Sequence, residues 1–587
     1  MPILGHVESK SIRGRFIHGS IIVALALGSV TMIYPFAIMV SGSFRSDLDE
    51  NDLDLIPKFW FDDVALYRKF LEEKYNQDIS LLNQAHGTTY YSFADVAEPI
   101  SNDPLADGLE AFIQRGDLPQ HWQNLGGIQC HRKMIPRNLR QLRRRLSDHF
   151  EGNIAAFGRD VGSPYIGWQA IVFPAPMWTS QRYDYPRNTL YEIYFQMTRE
   201  ADPAEIRLAS LTGQFLASMI YPIYGQEHTE TYNLAHVQDL ANYEQFRLSA
   251  KVPPPDYPKL RSEWIEFVRK ELNPSFIVVD GATDPQYTAF LHEKFGSKIS
   301  DLLPDGTKWL SGTQRQAYAE FLRDQPIEQI RLVGPEYHFD AHLFPYAMAV
   351  MEQRYVQGHR SRLRWHFTLR NYSNIMDELL FQGRALTNTV IFCILALLSA
   401  LLVNPMAAYG MSRFKLKATY KILLLLMATM SFPPMVTMIP QFILLRQLQL
   451  LNTFIALVLP LVANGYMIFL LKGFFDALPQ DLYEAARIDG AGEIRMFFQI
   501  AMSLSKPILA VLGLGTFNAA YTMFLYPLLV APDPDMWLIS VWLFQYQQDA
   551  SSAGVYAAVI IASVPTFMVF LFAQRTIMRG IVVPVEK

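Results

Sequence analysis

The sequence predicts an α-helical polytopic membrane protein with six transmembrane helices and a large mixed α/β domain inserted between the first two. Three observations predict it. One long apolar run lies near the N-terminus and five more lie in the last third. The residues between, from Arg45 to Gly383, are polar. Lys and Arg crowd alternate loops. Half of the 587 residues are hydrophobic, yet mean hydropathy is only +0.09. That average mixes two kinds of sequence, divided as residues 1–44, 45–383 and 384–587.

About 20 consecutive apolar residues are needed to cross roughly 30 Å of hydrocarbon. The first candidate runs from Phe16 to Val40, preceded by Lys10, Arg13 and Arg15. It exceeds a signal-peptide core and no A-x-A cleavage site follows, so it is expected to be a retained anchor. The others are Leu386–Tyr409, Ile422–Leu445, Phe454–Phe474, Pro507–Val530 and Val555–Phe572. Charges fall at their ends, as the cost of ionised groups in lipid demands.

Orientation follows from the basic residues. The second-to-third connection carries Arg413, Lys415, Lys417 and Lys421, and the fourth-to-fifth Lys472, Arg487, Arg495 and Lys506. The third-to-fourth has only Arg446, and the fifth-to-sixth has Asp533, Asp535 and Asp549 with no basic residue. Both termini are therefore expected in the cytoplasm, with residues 45–383 outside. Pro405, Pro433, Pro434, Pro440, Pro460 and Pro565 are expected to interrupt their helices, because proline removes a donor and crowds the preceding turn. Ser431, Pro433 and Pro434 form the candidate pathway segment, since Ser431 adds a hydroxyl where the backbone is freed.

A net charge of −4 excludes a broadly basic nucleic-acid binder. Cys130 and Cys393 are too few for a disulfide framework.

The loop between the fourth and fifth spans, residues 476–503, carries DALPQDLYEAARIDGAGEIRMFFQIAMS. Pro479 suits a first helical position, and Asp481 and Glu484 complement the helix dipole. Leu482, Ala485 and Ala486 make a shallow apolar face. Asp489-Gly490 reads as a helix stop, with glycine in the left-handed cap and a second helix from about Glu493. Two short helices at an angle serve either as a docking element or as an amphipathic linker.

Glu484-Ala485-Ala486, Gly490 and Ile500 resemble the EAA motif of permeases in binding-protein-dependent ABC importers, and the wider match resembles the maltose-type carbohydrate permeases. It includes Asn388-Thr389, Ala407 through Phe414, Phe432-Pro433-Pro434, Ile439-Pro440, Leu450 through Thr453, Lys506-Pro507, Tyr526-Pro527-Leu528 and Gln574-Arg575. The resemblance implies the ABC importer permease fold in a bacterial cytoplasmic (inner) membrane, and that Glu484, Ala485, Ala486, Asp489 and Gly490 dock on an ATPase subunit dimer. It further implies a second permease subunit, an extracytoplasmic solute-binding protein and a sugar substrate. No G-x-x-x-x-G-K-[ST] loop occurs, so the chain is expected to hold no cofactor, with ATP and Mg on the separate ATPase subunit. Two positions depart from the family. Ser503 stands where a proline usually closes the motif. Tyr521-Thr522-Met523-Phe524 replaces the usual Trp-Asn-Asp/Glu-Phe.

The polar insert is internally repetitive. Residues 67–99 align without gaps to 142–174, and a third copy is expected near 287–313. Each reads as two helices and a glycine turn followed by aromatics. Tyr90, Tyr165, Trp168 and Trp309 are candidate sugar-contacting rings, or the core between copies. Phe276–Asp280 and Ile330–Val333 read as short strands. The insert is expected to contact a binding protein or the partner permease. The alternative for the whole chain is a membrane-anchored extracytoplasmic protein that binds or cleaves glycan.

Overall fold

The structure is a computed structural model that describes residues 12–580 except 53, 117, 133, 166, 174–187, 281–311, 415–416 and 431–432. It divides into two compact units, Met1–Asn371 and Tyr372–Lys587.

The first unit opens on the Ile12–Gly42 helix, whose Gly19–Gly42 stretch is apolar enough to cross a membrane; its residues 19–36 are exposed and its last turn is buried. Beyond it the chain repeats one small plan. A helix ends in a left-handed residue, a 3₁₀ turn follows, then a second helix, another 3₁₀ turn and a three-residue strand. The left-handed residues recur at a constant interval, at Gly87 (φ 65°), Gly162 (φ 76°) and Val237 (φ 56°). The 3₁₀ turns keep the same interval, at Phe93–Asp95, Trp168–Ala170 and Tyr243–Gln245.

Asn83 locks the first turn. Its Nδ2 donates to Tyr90 O at 2.8 Å and its Oδ1 accepts from Tyr90 N–H at 3.0 Å. Asn233 does the same for Leu240, at 2.8 and 3.1 Å. The copy around 233 was missed in sequence because it carries Val237 and Leu240 where the others have glycine and tyrosine. The copy expected near 287–313 lies almost wholly outside the described residues.

The second halves are equally regular. Pro119, Pro203, Pro274 and Pro326 each open or cap a 3₁₀ turn leading into a strand. Proline's fixed φ suits that entry, and its missing donor costs nothing there. β1 (Gln123–Leu125) pairs antiparallel with β2 (Ile206–Leu208), and β3 (Ile277–Val279) with β4 (Ile330–Leu332) in the register Ile277↔Leu332. The two strands read in the sequence are β3 and β4. Among the described residues the unit is otherwise helical, and its sheets are only two-stranded.

Copies interlock tightly. A Cβ on Gly213 would sit 2.1 Å from Gln84 O, so the first and third copies meet backbone to backbone. Buried polar clusters sit within this packing. Glu352 accepts from Tyr75 Oη at 2.8 Å, pairs with His86 at 2.8 Å and with Lys74. Burial pushes the Glu352 carboxyl up, but Lys74 and His86 outweigh it and hold it at about 2. Glu263 repeats the arrangement with His236 at 2.8 Å and Tyr224 Oη at 2.6 Å.

In the second unit, Ala385–Arg413 and Ser552–Gln574 are continuous helices long and apolar enough to span. Phe454–Leu461 and Gly465–Asp476 form a bent pair at 49°, and Glu493–Leu504 and Lys506–Tyr521 a pair at 82°. With the N-terminal helix this makes three such helices among the described residues, or five if each bent pair is one span. The expected third span, Ile422–Leu445, is divided between Thr419–Met430 and Pro434–Gln447.

The proline expectations need correction. Pro405, Pro440 and Pro565 lie inside continuous helices. A single proline costs one backbone bond, which the surrounding turns can absorb. The breaks come where proline is paired, at Pro433-Pro434, and around Pro460 in the Leu459–Leu461 3₁₀ turn.

Beside Pro405, Asn404 is fully buried. Its Nδ2 donates to Ala400 O at 2.9 Å and its Oδ1 accepts from Asn464 N–H at 2.8 Å. Asn464 in turn caps the Gly465–Asp476 helix through Met467 N–H at 3.0 Å. Gly465 lets this helix approach Leu426 O, which a Cβ would meet at 2.8 Å. Asn388 donates to Asp535 O and Trp537 O, at 2.8 and 3.2 Å, and Thr389 accepts from Ile539 N–H at 2.8 Å. That explains why an Asn-Thr pair opens this span: it fastens the loop ahead of the Ile539–Asp549 helix.

Candidate functional site

The loop after the Gly465–Asp476 helix folds as two short helices. Pro479 caps the first, Gln480–Ile488, in an extended conformation (φ −55°, ψ 130°). Its C-terminus closes as the sequence predicts. Gly490 is left-handed at φ 78°, its N–H donates to Arg487 O at 3.0 Å, and Ala491 N–H reaches back to Ala486 O at 2.9 Å. These two bonds make a Schellman cap. A Cβ on Gly490 would meet nothing within 4 Å, so glycine is favoured here by backbone conformation and not by crowding. Gly492 then precedes the Glu493–Leu504 helix, which ends at buried Ser505 before Lys506-Pro507 begins the next. Ser503, where the family has proline, lies inside that helix.

The two faces of the first helix differ sharply. Tyr483 is buried and Ala486 half-buried, packed with Tyr409, Phe475, Met496 and Phe497. Arg413 lies 3.4 Å above the Tyr483 ring centre, and its Nη2 donates to Phe475 O at 3.2 Å. Tyr409 Oη donates to Glu493 Oε2 at 3.0 Å, and Arg487 pairs with Glu493 Oε1 at 2.7 Å. Arg487 draws the Glu493 carboxyl below the usual carboxylate range. One buried aromatic and one carboxylate thus tie both short helices to the end of the Ala385–Arg413 helix.

The opposite face is open. Glu484, Ala485, Asp489 and Gly490 are exposed, with Leu482 at 44%, Ile488 at 87% and Ile494 at 77%. Contiguous apolar side chains beside small residues are characteristic of an interaction surface. The shallow face expected from sequence is therefore split: Leu482 and Ala485 point out, Ala486 points in. Sequence reasoning missed Tyr483 as the anchor. The available signal was a lone aromatic three residues before Ala486, in a helix otherwise short of bulk.

The other candidates are more dispersed. Ser431 lies outside the described residues, as does Trp309. Pro433 is extended and exposed ahead of the helix that Pro434 begins. Tyr90 is half-buried against the first copy's core. Tyr165 and Trp168 are half-buried against Phe157, at 5.1 and 5.6 Å between ring centres. Among the described turn rings, Tyr91 faces solvent, at 73% exposure.

Comparison with known proteins bears on the second unit. Residues 404–582 match the family described as binding-protein-dependent transport system inner membrane component. Over 218 residues, 36% of this chain and 72% of the relative, the sequence is 32% identical to the diacetylchitobiose uptake system permease protein NgcG of Streptomyces coelicolor. Over 225 residues, 37% of this chain and 77% of the relative, it is 31% identical to the sn-glycerol-3-phosphate transport system permease protein UgpE of Yersinia enterocolitica. Among solved structures it is similar to a chain of a bacterial ABC transporter involved in the import of the acidic polysaccharide alginate. That match has 21% identity and a TM-score of 0.32, over 35% of this chain and 78% of the other.

Proposed function

Because this chain belongs to the family of inner-membrane components of binding-protein-dependent transport systems, we propose that it is the permease subunit of an ATP-driven carbohydrate importer, coupled to a separate ATPase through residues 476–503. The relatives are named as permeases for diacetylchitobiose uptake and sn-glycerol-3-phosphate transport, which supports a carbohydrate or polyol cargo here. The chain forms half of a pathway whose other half is a second permease, and an external binding protein delivers the substrate. Both termini and the EAA loop face the cytoplasm. Residues 45–383 lie outside and meet the binding protein or the partner permease.

The observation that carries the coupling role is the two-faced Gln480–Ile488 helix. Its outer face of Leu482, Glu484, Ala485 and Ile488 is free to seat in a partner, with Asp489-Gly490 forming the bend. Its inner face is pinned by Tyr483 to Arg413. A displacement imposed on the outer face by ATPase closure is thereby passed to the Ala385–Arg413 helix. ATP and Mg reside on the partner, and this chain supplies only the mechanical link.

Glu484→Lys, or a bulky residue at 490, is expected to abolish ATP-coupled uptake in proteoliposomes while leaving membrane insertion intact. Wild-type uptake in both variants would refute the docking role. A membrane-anchored enzyme acting on glycan would have no use for this loop.

A further inference from the structure

The last turn of the N-terminal membrane helix does not simply emerge into solvent. Ser41 Oγ donates to Asp54 O at 2.5 Å, and Arg45 Nη2 reaches the same oxygen at 2.9 Å. Asn371 Nδ2 donates to Ser43 O at 2.8 Å and Arg45 O at 3.0 Å. The helix end is therefore gripped by two segments, one just before Leu55-Ile56 and the other following Leu369. Trp60 extends the second grip: its Nε1 donates to Thr368 Oγ1 at 3.1 Å, and its ring meets Trp365 edge-on at 5.3 Å.

These segments expose large apolar side chains beside the point where the helix ends. Leu55 is 51% exposed, Ile56 58%, Phe61 76%, Trp365 54% and Leu369 53%. Lys58 is paired with Asp52 at 2.9 Å and Arg364 with Asp63 at 2.8 Å, so nearby charges are largely neutralised. The helix that ends here is itself apolar and exposed, with Ile33, Tyr34 and Phe36 half or more exposed. Aromatic and aliphatic side chains at the level where a span leaves hydrocarbon are suited to the headgroup layer.

We propose that Leu55, Ile56, Phe61, Trp365 and Leu369 form a collar seated in the bilayer's interfacial layer, on the side that the Gly42 end of the helix reaches. The occupant of this face is lipid, and the collar fixes how the N-terminal unit stands on the membrane. The placement depends only on the helix being a span and on the bonds that hold its end. It is independent of which side of the membrane the unit occupies and of any ATPase contact.

The test uses the full chain with Cys130 and Cys393 changed to serine, in vesicles of phosphatidylethanolamine and phosphatidylglycerol. Leu55→Cys and Phe61→Cys carry a nitroxide, and Leu234→Cys, 85% exposed on the short Glu230–His236 helix, serves as the water-side control. The expected result is an inversion: oxygen relaxes the labels at 55 and 61 more than a water-soluble nickel complex does, and the reverse holds at 234. Nickel-dominated relaxation at 55 and 61 would overturn the proposal by placing the collar in water. Protection from both reagents would overturn it in favour of a covering protein chain.

Discussion

The guanidinium of Arg413 lies 3.4 Å from the centre of the Tyr483 ring, joining the last residue of the Ala385–Arg413 helix to the short helix that carries Glu484. The Tyr483 hydroxyl is buried without a hydrogen-bond partner, so the ring, and not the oxygen, makes the joint. A desolvated cation–π contact is worth about 2 kcal/mol, and loss of the packed ring adds to it.

Tyr483→Phe should therefore retain uptake, whereas Tyr483→Ala should lower it about tenfold or more, a factor that 1.4 kcal/mol already supplies. Since the outer face is untouched, the alanine variant should still copurify with its ATPase. Parallel transport assays and pull-downs of the two variants check this.

Glu352→Gln should destabilise the N-terminal unit. Removing one charge from a buried cluster leaves Lys74 uncompensated, at a cost of about 3–5 kcal/mol. The wild-type sign follows from the depressed carboxyl, about 2 against an ordinary 4.5. Its contribution is complete above pH 4.5 and is lost as the pH falls toward 2. Thermal melts of the intact protein between pH 7 and 3 should show acid sensitivity that is reduced in the glutamine variant, which keeps the depressed carboxylates Glu73 and Asp49.

Val237→Gly should raise stability slightly. An L-residue in the left-handed region costs about 1–2 kcal/mol, and glycine gives back roughly 0.5–1 through its freer unfolded chain. The net gain is below about 1.5 kcal/mol by those figures, and a melting temperature resolves it.

Gly213→Ala should be severe, because its Cβ would fall 2.1 Å from a backbone oxygen that cannot step aside. Overpacking of this kind costs about 1–3 kcal/mol or more. Gly358→Ala, with nothing within 4 Å, is the matched control and should be neutral. Expression and melting temperature of the two alanine variants provide the comparison.

The membrane part was readable where physics acts locally. Apolar length marked the Gly19–Gly42, Ala385–Arg413 and Ser552–Gln574 helices, and Asp489-Gly490 marked the cap, since glycine takes the left-handed conformation most readily. The long-range terms were hidden. Whether Pro405 breaks a helix depends on its surroundings, and Asn404 reaching Asn464 is invisible in a single chain of letters. Tyr483 was overlooked because burial of one residue in a short helix is set by Arg413 and Tyr409, far away in sequence. Within the N-terminal unit, glycine and aromatic spacing exposed two copies. The copy at Asn233 escaped because its turn is held by the same asparagine bonds under different neighbours.

The coupling role requires that a nucleotide-hydrolysing partner hold the Asp489-Gly490 bend. A photo-cross-linker at Ile488, 87% exposed on the outer face, tests it in native membrane vesicles. The predicted result is an adduct with an ATP-binding polypeptide whose yield changes on adding ATP and Mg. Efficient cross-linking only to lipid, to this chain itself or to an external binding protein would contradict it.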